Sequence, residues 1–207
     1  MAAVTLLPRA VPVGHPGPFD QQLDSEGTTI SPTRYRIVDS PVGLLTLAGQ
    51  GDVLTNMVLE RSAHLPEERS RWVEDTGAFP DVVVQLDEYF AGERTAFDVA
   101  LRPEGTGFQR RVWRALCEIP YAETRSYAEI ACCIGQPGAA RAVGLANGRN
   151  PIAIIVPCHR VIGANGTLAG YSGGLEAKRV LLDLEQARRG RAAPDEILRR
   201  GARNCKL

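Results

Sequence analysis

Long apolar runs are missing from this 207-residue chain. The longest, from Ile152 to Val156, is stopped by Pro157 and falls far short of the roughly 20 residues that a membrane-crossing helix needs, so no membrane association is expected. A secretory signal is excluded on similar grounds, because Pro8, Arg9, Pro12, Pro16 and Pro18 break up the apolar stretch it would require. Residues 1–32 therefore read as a flexible tail. Histidine is scarce, at His15, His64 and His159. The five cysteines, Cys117, Cys132, Cys133, Cys158 and Cys205, are odd in number and show neither a disulfide framework nor the paired spacing of a zinc site. No metal and a reducing cytoplasm are the expectations. Net charge is also lacking, but only in the sum: the first 100 residues carry 7 basic and 15 acidic side chains and the remainder 17 and 9, so the two halves stand near −8 and +8. Only the second half suits a polyanionic partner, since cationic neutralisation of phosphate dominates nucleic-acid affinity. A solvated basic face would produce the same asymmetry, and Arg188, Arg189, Arg191, Arg199, Arg200, Arg203 and Lys206 place much of it in a basic tail, residues 187–207.

What is present is enough for a core, with 44% hydrophobic residues. Residues 35–59 alternate short apolar stretches with turn formers (Ser40-Pro41, Gly49 to Asp52), the pattern of a strand meander. A helix is expected over residues 81–90, with Val82, Leu86, Tyr89 and Phe90 at helical spacing and Gly92 beyond its end. Residues 33–100 thus form a small α+β unit. An amphipathic helix is expected over residues 108–119, carrying Phe108, Val112, Trp113, Leu116 and Ile119 on one face. Ser126 and Glu129 form a capping box that opens a short helix to Ile134, ended by Gly135. Pro137 then reads as the first-turn proline of a second short helix, which Asn147-Gly148 breaks. Two short helices joined at Gly135-Gln136 have the outline of a helix-turn-helix. The second is made of small residues, among them Ala139, Ala140 and Gly144, with Arg141 as its long polar side chain. That composition suits close approach to a surface, or simply close packing in a core.

Residues 150–157 read as an apolar strand ending in proline, followed at once by Cys158, His159 and Arg160. In a regular strand neighbouring side chains point to opposite faces, so a direct thiol–imidazole pair requires the backbone to bend or a water to bridge. The run Pro157-Cys158-His159-Arg160, with Asn150 ahead of it and Tyr171-Ser172-Gly173-Gly174 after it, resembles the active-site signature of the O6-alkylguanine-DNA alkyltransferases. The similarity extends over residues 35–185.

The resemblance implies a fold: a small N-terminal domain, residues 33–100, with a short antiparallel sheet and a helix (ribonuclease H-like), then a mainly helical C-terminal domain, residues 105–186, with a winged-helix-like helix-turn-helix. It also implies an activity, the stoichiometric and irreversible transfer of an alkyl group from O6-alkylguanine (and O4-alkylthymine) in DNA to Cys158. An ordinary thiol, with a pKa near 8.5, is mostly protonated at neutral pH, so attack on an alkyl carbon needs a thiolate held ready. In the family pattern His159 takes the proton through a water and Glu185, at the end of a helical run from residue 177, orients the imidazole. Tyr127 and Ser172 supply donors to the departing base, and the carbonyls at Cys158 and Val161 read its exocyclic amine. Gly173 allows a tight loop, Tyr171 walls the pocket, and Asn150 braces the turn carrying the cysteine. Because the target atom is inaccessible within a duplex, the nucleotide must be extruded. Ala139, Ala140 and Gly144 would let the helix enter the minor groove of double-stranded DNA, Arg141 would fill the gap, and Arg160 is counted with these DNA-binding residues. No cofactor is implied. The protein would act as a monomer, with cooperativity on DNA left open, in the cytoplasm or on a bacterial nucleoid. Some relatives carry zinc in the first domain, which the lack of cysteine before residue 100 argues against.

Two other readings stay open at this point. A lesion sensor or regulator would use the helix-turn-helix without chemistry, and a cysteine hydrolase or acyltransferase would use Cys158 and His159 with turnover.

Overall fold

Between residues 34 and 59 the chain reverses twice, at segments rich in glycine. Strands β3 (Arg34–Val38), β4 (Leu45–Gln50) and β5 (Val53–Leu59) result, and Gly51, at φ 57°, supplies the left-handed residue of the tight β4–β5 turn. They pair as antiparallel neighbours, and β6 (Val73–Glu74) adds in parallel on the far side of β3, giving the order β5-β4-β3-β6. This computed structural model describes residues 22–23, 29–30, 32–62 and 64–189. Within the segment read as a tail, β1 (Gln22–Leu23) and β2 (Thr29–Ile30) form an antiparallel ladder of their own. Of the basic tail, residues 190–207 lie outside the described residues, and residues 187–189 belong to the last helix.

Helix α1 (Pro80–Ala91) starts on a first-turn proline and buries Val82, Gln85, Leu86 and Tyr89, one face at helical spacing. Helix α2 (Gly107–Cys117) is opened by a reciprocal capping box between Thr106 and Gln109 and buries Val112, Trp113 and Leu116. It stops before the expected end, yet Ile119 is still buried just beyond it. After β7 (Arg125–Ser126), helix α3 (Tyr127–Cys133) begins on the Ser126–Glu129 box that its sequence announces. Helix α4 (Ala140–Gly148) follows, and Trp113 ties it to α2 through a hydrogen bond from Nε1 to the Ala146 carbonyl at 2.9 Å. The pair α3–α4 is the helix-turn-helix. Pro137 is not in the first turn of α4: it sits in the connecting turn, ahead of the cap residue Ala139. Nor does Asn147 break the helix, since it lies inside α4 on the buried side with Val143 and Ala146.

The largest departure is residues 150–157, read as a strand. They form a sequence of turns with a single bridge, Met57 to Ile152, before Cys158–Arg160 closes into a 3-10 turn and β8 (Val161–Ile162) pairs in parallel with β7. The apolar run from Ile152 to Val156 is buried, and a buried run this short does not distinguish strand from packed loop. Its polar backbone is satisfied by Asn150 and by Met57, whose carbonyl accepts from Ala153 N at 2.8 Å. Ile154 takes a left-handed φ of 68° within the turns.

Helix α5 (Leu175–Arg189) is longer at both ends than the expected run, so Glu185 sits inside it. The chain is therefore a mixed α+β protein, a small sheet with one helix followed by a mainly helical part, sharing an apolar core. Among the described residues Cys132, Cys133 and Cys158 are free thiols. Among the described residues no helix is long and apolar enough to cross a membrane, and no group of acidic, cysteine and histidine side chains is placed to hold a metal.

Candidate active site

The buried turn that ends at Cys158 is held by one side chain. Asn150 accepts from Ile152 N through Oδ1 and donates through Nδ2 to the carbonyls of Ile152 and Val156 and to Cys158 Sγ, the last at 3.1 Å. These bonds tie the turn to one side chain, which also reaches the sulfur. Cys158 is only 1% exposed. Burial pushes its thiol up to about 11, against the smaller opposing effects of the Asn150 hydrogen bond and the Lys178 charge. The thiolate expected to be held ready is therefore not the resting form, because a buried anion without a full counter-charge costs too much. The proton must leave as the reaction proceeds.

Cys158, His159 and Arg160 lie in one 3-10 turn and not in a strand. His159 is fully buried, and its Nε2 lies 2.9 Å from Glu185 Oε1. Burial lowers the imidazole pKa despite the pull of Glu185 toward the charged form. A neutral ring that donates from Nε2 to a carboxylate leaves Nδ1 as a bare acceptor. That Nδ1 is buried with no hydrogen-bond partner among the described residues, as are Asn147 Oδ1 and Tyr171 Oη. Buried polar atoms of this kind mark where a ligand or solvent group belongs.

Glu185 is itself fully buried and is surrounded by donors. Oε1 accepts from Tyr89 Oη at 2.8 Å and from Arg160 NH2 at 2.9 Å, and Oε2 accepts from Arg160 Nε and the Ala122 N–H, both at 3.0 Å. Ala122, which donates here, has a left-handed backbone at φ 61°. Burial alone would raise the carboxyl pKa, but His159 and Arg160, through charge and hydrogen bonds, outweigh it and hold it well below the ordinary range. Arg160 is the clearest correction to the sequence reading. Counted there as a DNA contact, it is 4% exposed, ion-paired with Glu185, bonded through NH1 to the Ile119 carbonyl and stacked over the Tyr121 ring, so it cannot reach phosphate.

The pocket side is built from the loop before α5. Tyr171 and Gly173 are buried and Ser172 is half-buried. Three side chains clamp this loop: Tyr127 donates to the Ala169 carbonyl at 2.8 Å, Lys178 donates to the carbonyls of Ala169 and Val161 at 2.6 Å each, and Asn147 donates to those of Gly170 and Cys158 at 3.3 Å each. Tyr127 can come this close because residue 170 is glycine, where a Cβ would lie 2.7 Å from the phenol oxygen. The phenol expected to face the base is therefore engaged with the loop. Both carbonyls expected to read the base are engaged: that of Cys158 accepts from Asn147 Nδ2 and from the Val161 N–H, and that of Val161 accepts from Lys178, so a ligand there exchanges or shares these bonds.

On α4 Arg141 is exposed, Ala139, Ala140 and Gly144 are half-buried, and Gly144 faces the Tyr127 ring. Sequence reasoning missed Lys178, Asn147, Tyr89 and the Ala122 amide. One signal was available for Lys178: with Ala177, Leu181 and Glu185 it falls on the inward face of α5, where a lysine is out of place unless bonded.

Comparison with known proteins agrees along most of the chain. Residues 33–103 match the family described as 6-O-methylguanine DNA methyltransferase, ribonuclease-like domain, and residues 107–187 match its DNA binding domain. A methylated-DNA–protein-cysteine methyltransferase of Mycobacterium tuberculosis is 64% identical over 154 residues, covering 74% of this chain and 93% of the relative. One from Methanosarcina barkeri is 52% identical over 152 residues, 73% of this chain and 96% of the relative. The crystal structure of the M. tuberculosis O6-methylguanine methyltransferase superposes with a TM-score of 0.73 at 60% identity, over 80% of this chain and 98% of that one. A structure of the M. tuberculosis protein in complex with DNA gives the same TM-score at 62% identity, over 75% and 94%.

Proposed function

The chain belongs to the 6-O-methylguanine DNA methyltransferase family, and on that premise we propose that Cys158 is the acceptor to which it transfers the alkyl group of O6-alkylguanine in duplex DNA. It is a DNA-repair protein of the methylated-DNA–protein-cysteine methyltransferase class, with DNA as its partner. Residues 33–100 serve as the small α+β domain, and residues 105–186 carry DNA binding and alkyl transfer.

The observation that carries the assignment of roles is the buried Nδ1 of His159, without a hydrogen-bond partner among the described residues, on the residue that follows the buried Cys158, with Nε2 committed to Glu185. As the base enters, a bridging water accepts the Cys158 proton and passes one to Nδ1, and the imidazolium charge is taken up against the Glu185 carboxylate. The sulfur attacks the alkyl carbon, an S–C bond forms as the C–O6 bond breaks, and the electron pair leaves with O6. Tyr127, exchanging its bond to Ala169 for one to O6, and Ser172 stabilise that charge. The proton returns from His159 to the base, which departs as neutral guanine, so thiol and alkylated base become thioether and guanine with nothing else consumed. The carbonyls of Cys158 and Val161 accept from the exocyclic amine, and Tyr171 stacks as the pocket wall. Arg141 enters from the minor groove and occupies the space of the extruded nucleotide. The protein acts as a monomer and in the cytoplasm, where Cys158 stays reduced.

Stoichiometry tests this reading against a thiol hydrolase. Guanine restored within a methylated duplex, titrated against protein, is expected to stop at one equivalent, and continued restoration would refute it. A lesion sensor would restore none.

A further inference from the structure

The outer face of α4 carries a side chain that folding leaves unaccounted for. Leu145 is 67% exposed, the most exposed of the large apolar residues among those described. A single exposed leucine is ordinary on a protein surface, but the setting of this one is not. It lies one helical turn after Arg141 and one before Arg149, both exposed, so the three side chains form a basic–apolar–basic stripe. The opposite side of the helix, Val143, Ala146 and Asn147, is buried, and α4 contains no acidic residue. The stripe therefore combines two cations, complementary to a polyanion, with an apolar group between them.

We infer that Leu145 is an apolar wedge that packs into the minor groove of duplex DNA beside the extruded nucleotide, with Arg141 in the vacated position and Arg149 on a flanking phosphate. This rests on the reading of α4 as the DNA-binding helix. Extruding a nucleotide exposes the faces of its neighbours and the sugars around the gap, and an apolar side chain inserted there shields them from water, as wedge residues do in other minor-groove binders. A charged residue at position 145 would add affinity without this shielding. Leucine adds a contribution that does not depend on salt, because it releases no counterions.

The test compares two substrates of the full chain: a duplex containing O6-methylguanine, and free O6-benzylguanine, whose benzylic carbon is reactive enough for transfer without DNA. Leu145→Ala is expected to lower the second-order rate on the duplex by about tenfold or more, the worth of burying a leucine side chain. The rate on the free base stays unchanged, and so does the slope of duplex binding against salt. Leu145→Met, which keeps apolar bulk, restores the duplex rate. Arg149→Ala, by contrast, reduces the salt slope by about 0.9. A Leu145→Ala protein with an undiminished duplex rate, while Arg141→Ala is impaired, would overturn the wedge and leave the DNA-binding helix standing. If Arg141→Ala is also undiminished, the reading of α4 itself fails. Equal losses on both substrates would make Leu145 a structural residue and also overturn the proposal.

Discussion

Tyr89 Oη, on the helix that follows the sheet, donates to Glu185 Oε1 at 2.8 Å, although 96 residues separate the two in sequence. The same oxygen receives His159 Nε2. The first part of the chain thus helps to hold the carboxylate that holds the imidazole. Tyr89→Phe keeps the packing against Phe90, Phe97 and Tyr121 and removes only the hydroxyl. A buried hydrogen bond to a charged group is worth about 1.5–3 kcal/mol, and a loss of that size is expected in urea unfolding. A variant as stable as the parent would show that the bond contributes nothing.

Arg160 separates a buried role from a surface one. Replacing it with methionine leaves Glu185 with a greatly reduced counter-charge, and breaking a buried pair from one side costs about 3–5 kcal/mol. The salt slope of DNA binding by the folded fraction is expected to stay at the parent value. Arg149→Ala should do the reverse, leaving stability near the parent and lowering the slope by about 0.9. A changed slope for Arg160→Met would put Arg160 back among the phosphate contacts.

Cys158 should titrate late. With burial pushing the thiol up to about 11, alkylation by iodoacetamide without DNA is expected to keep rising above pH 9, where an ordinary thiol near 8.5 levels off. A plateau below pH 8 would contradict a buried, protonated resting thiol. The linked effect on stability has a definite sign. A folded pKa raised above the unfolded one favours folding below the unfolded value, and that advantage is lost as pH rises from about 8.5 through about 11. Stability relative to Cys158→Ser should therefore narrow across this window.

Asn150→Ala removes the donor to Sγ and the brace of the turn together. Alkyl transfer in single-turnover kinetics is expected to slow by about ten- to a hundredfold, from the loss of a charge-assisted hydrogen bond as the thiolate forms. The iodoacetamide profile should move to still higher pH, because one of the effects opposing burial is gone. An unmoved profile would show that Asn150 serves the backbone alone.

How much of this was visible beforehand depends on whether a residue's role is local. The capping box at Ser126 and the buried face of α1 are written within a few residues, and the sequence reveals them. Cys158, His159 and Glu185 came from the resemblance, and the geometry brings His159 and Glu185 within 2.9 Å. The strand expected over residues 150–157 failed because a short buried apolar run has no period to read, and its hydrogen bonds go to the Asn150 side chain. Arg160 was misplaced because an arginine looks the same in sequence whether it meets a phosphate or a carboxylate 25 residues away. Tyr127 was expected to face a base, and its bond to Ala169 depends on a loop whose path only the folded chain defines.

The central claim is that Cys158 accepts the alkyl group. Its most direct test is the intact mass of the protein after reaction with excess duplex containing O6-methylguanine, followed by peptide mapping. The account predicts a single added methyl group, on the peptide carrying Cys158, and none in Cys158→Ser. A methyl on Cys132, Cys133 or any other residue, or an unchanged mass in the presence of tight lesion binding, would contradict it.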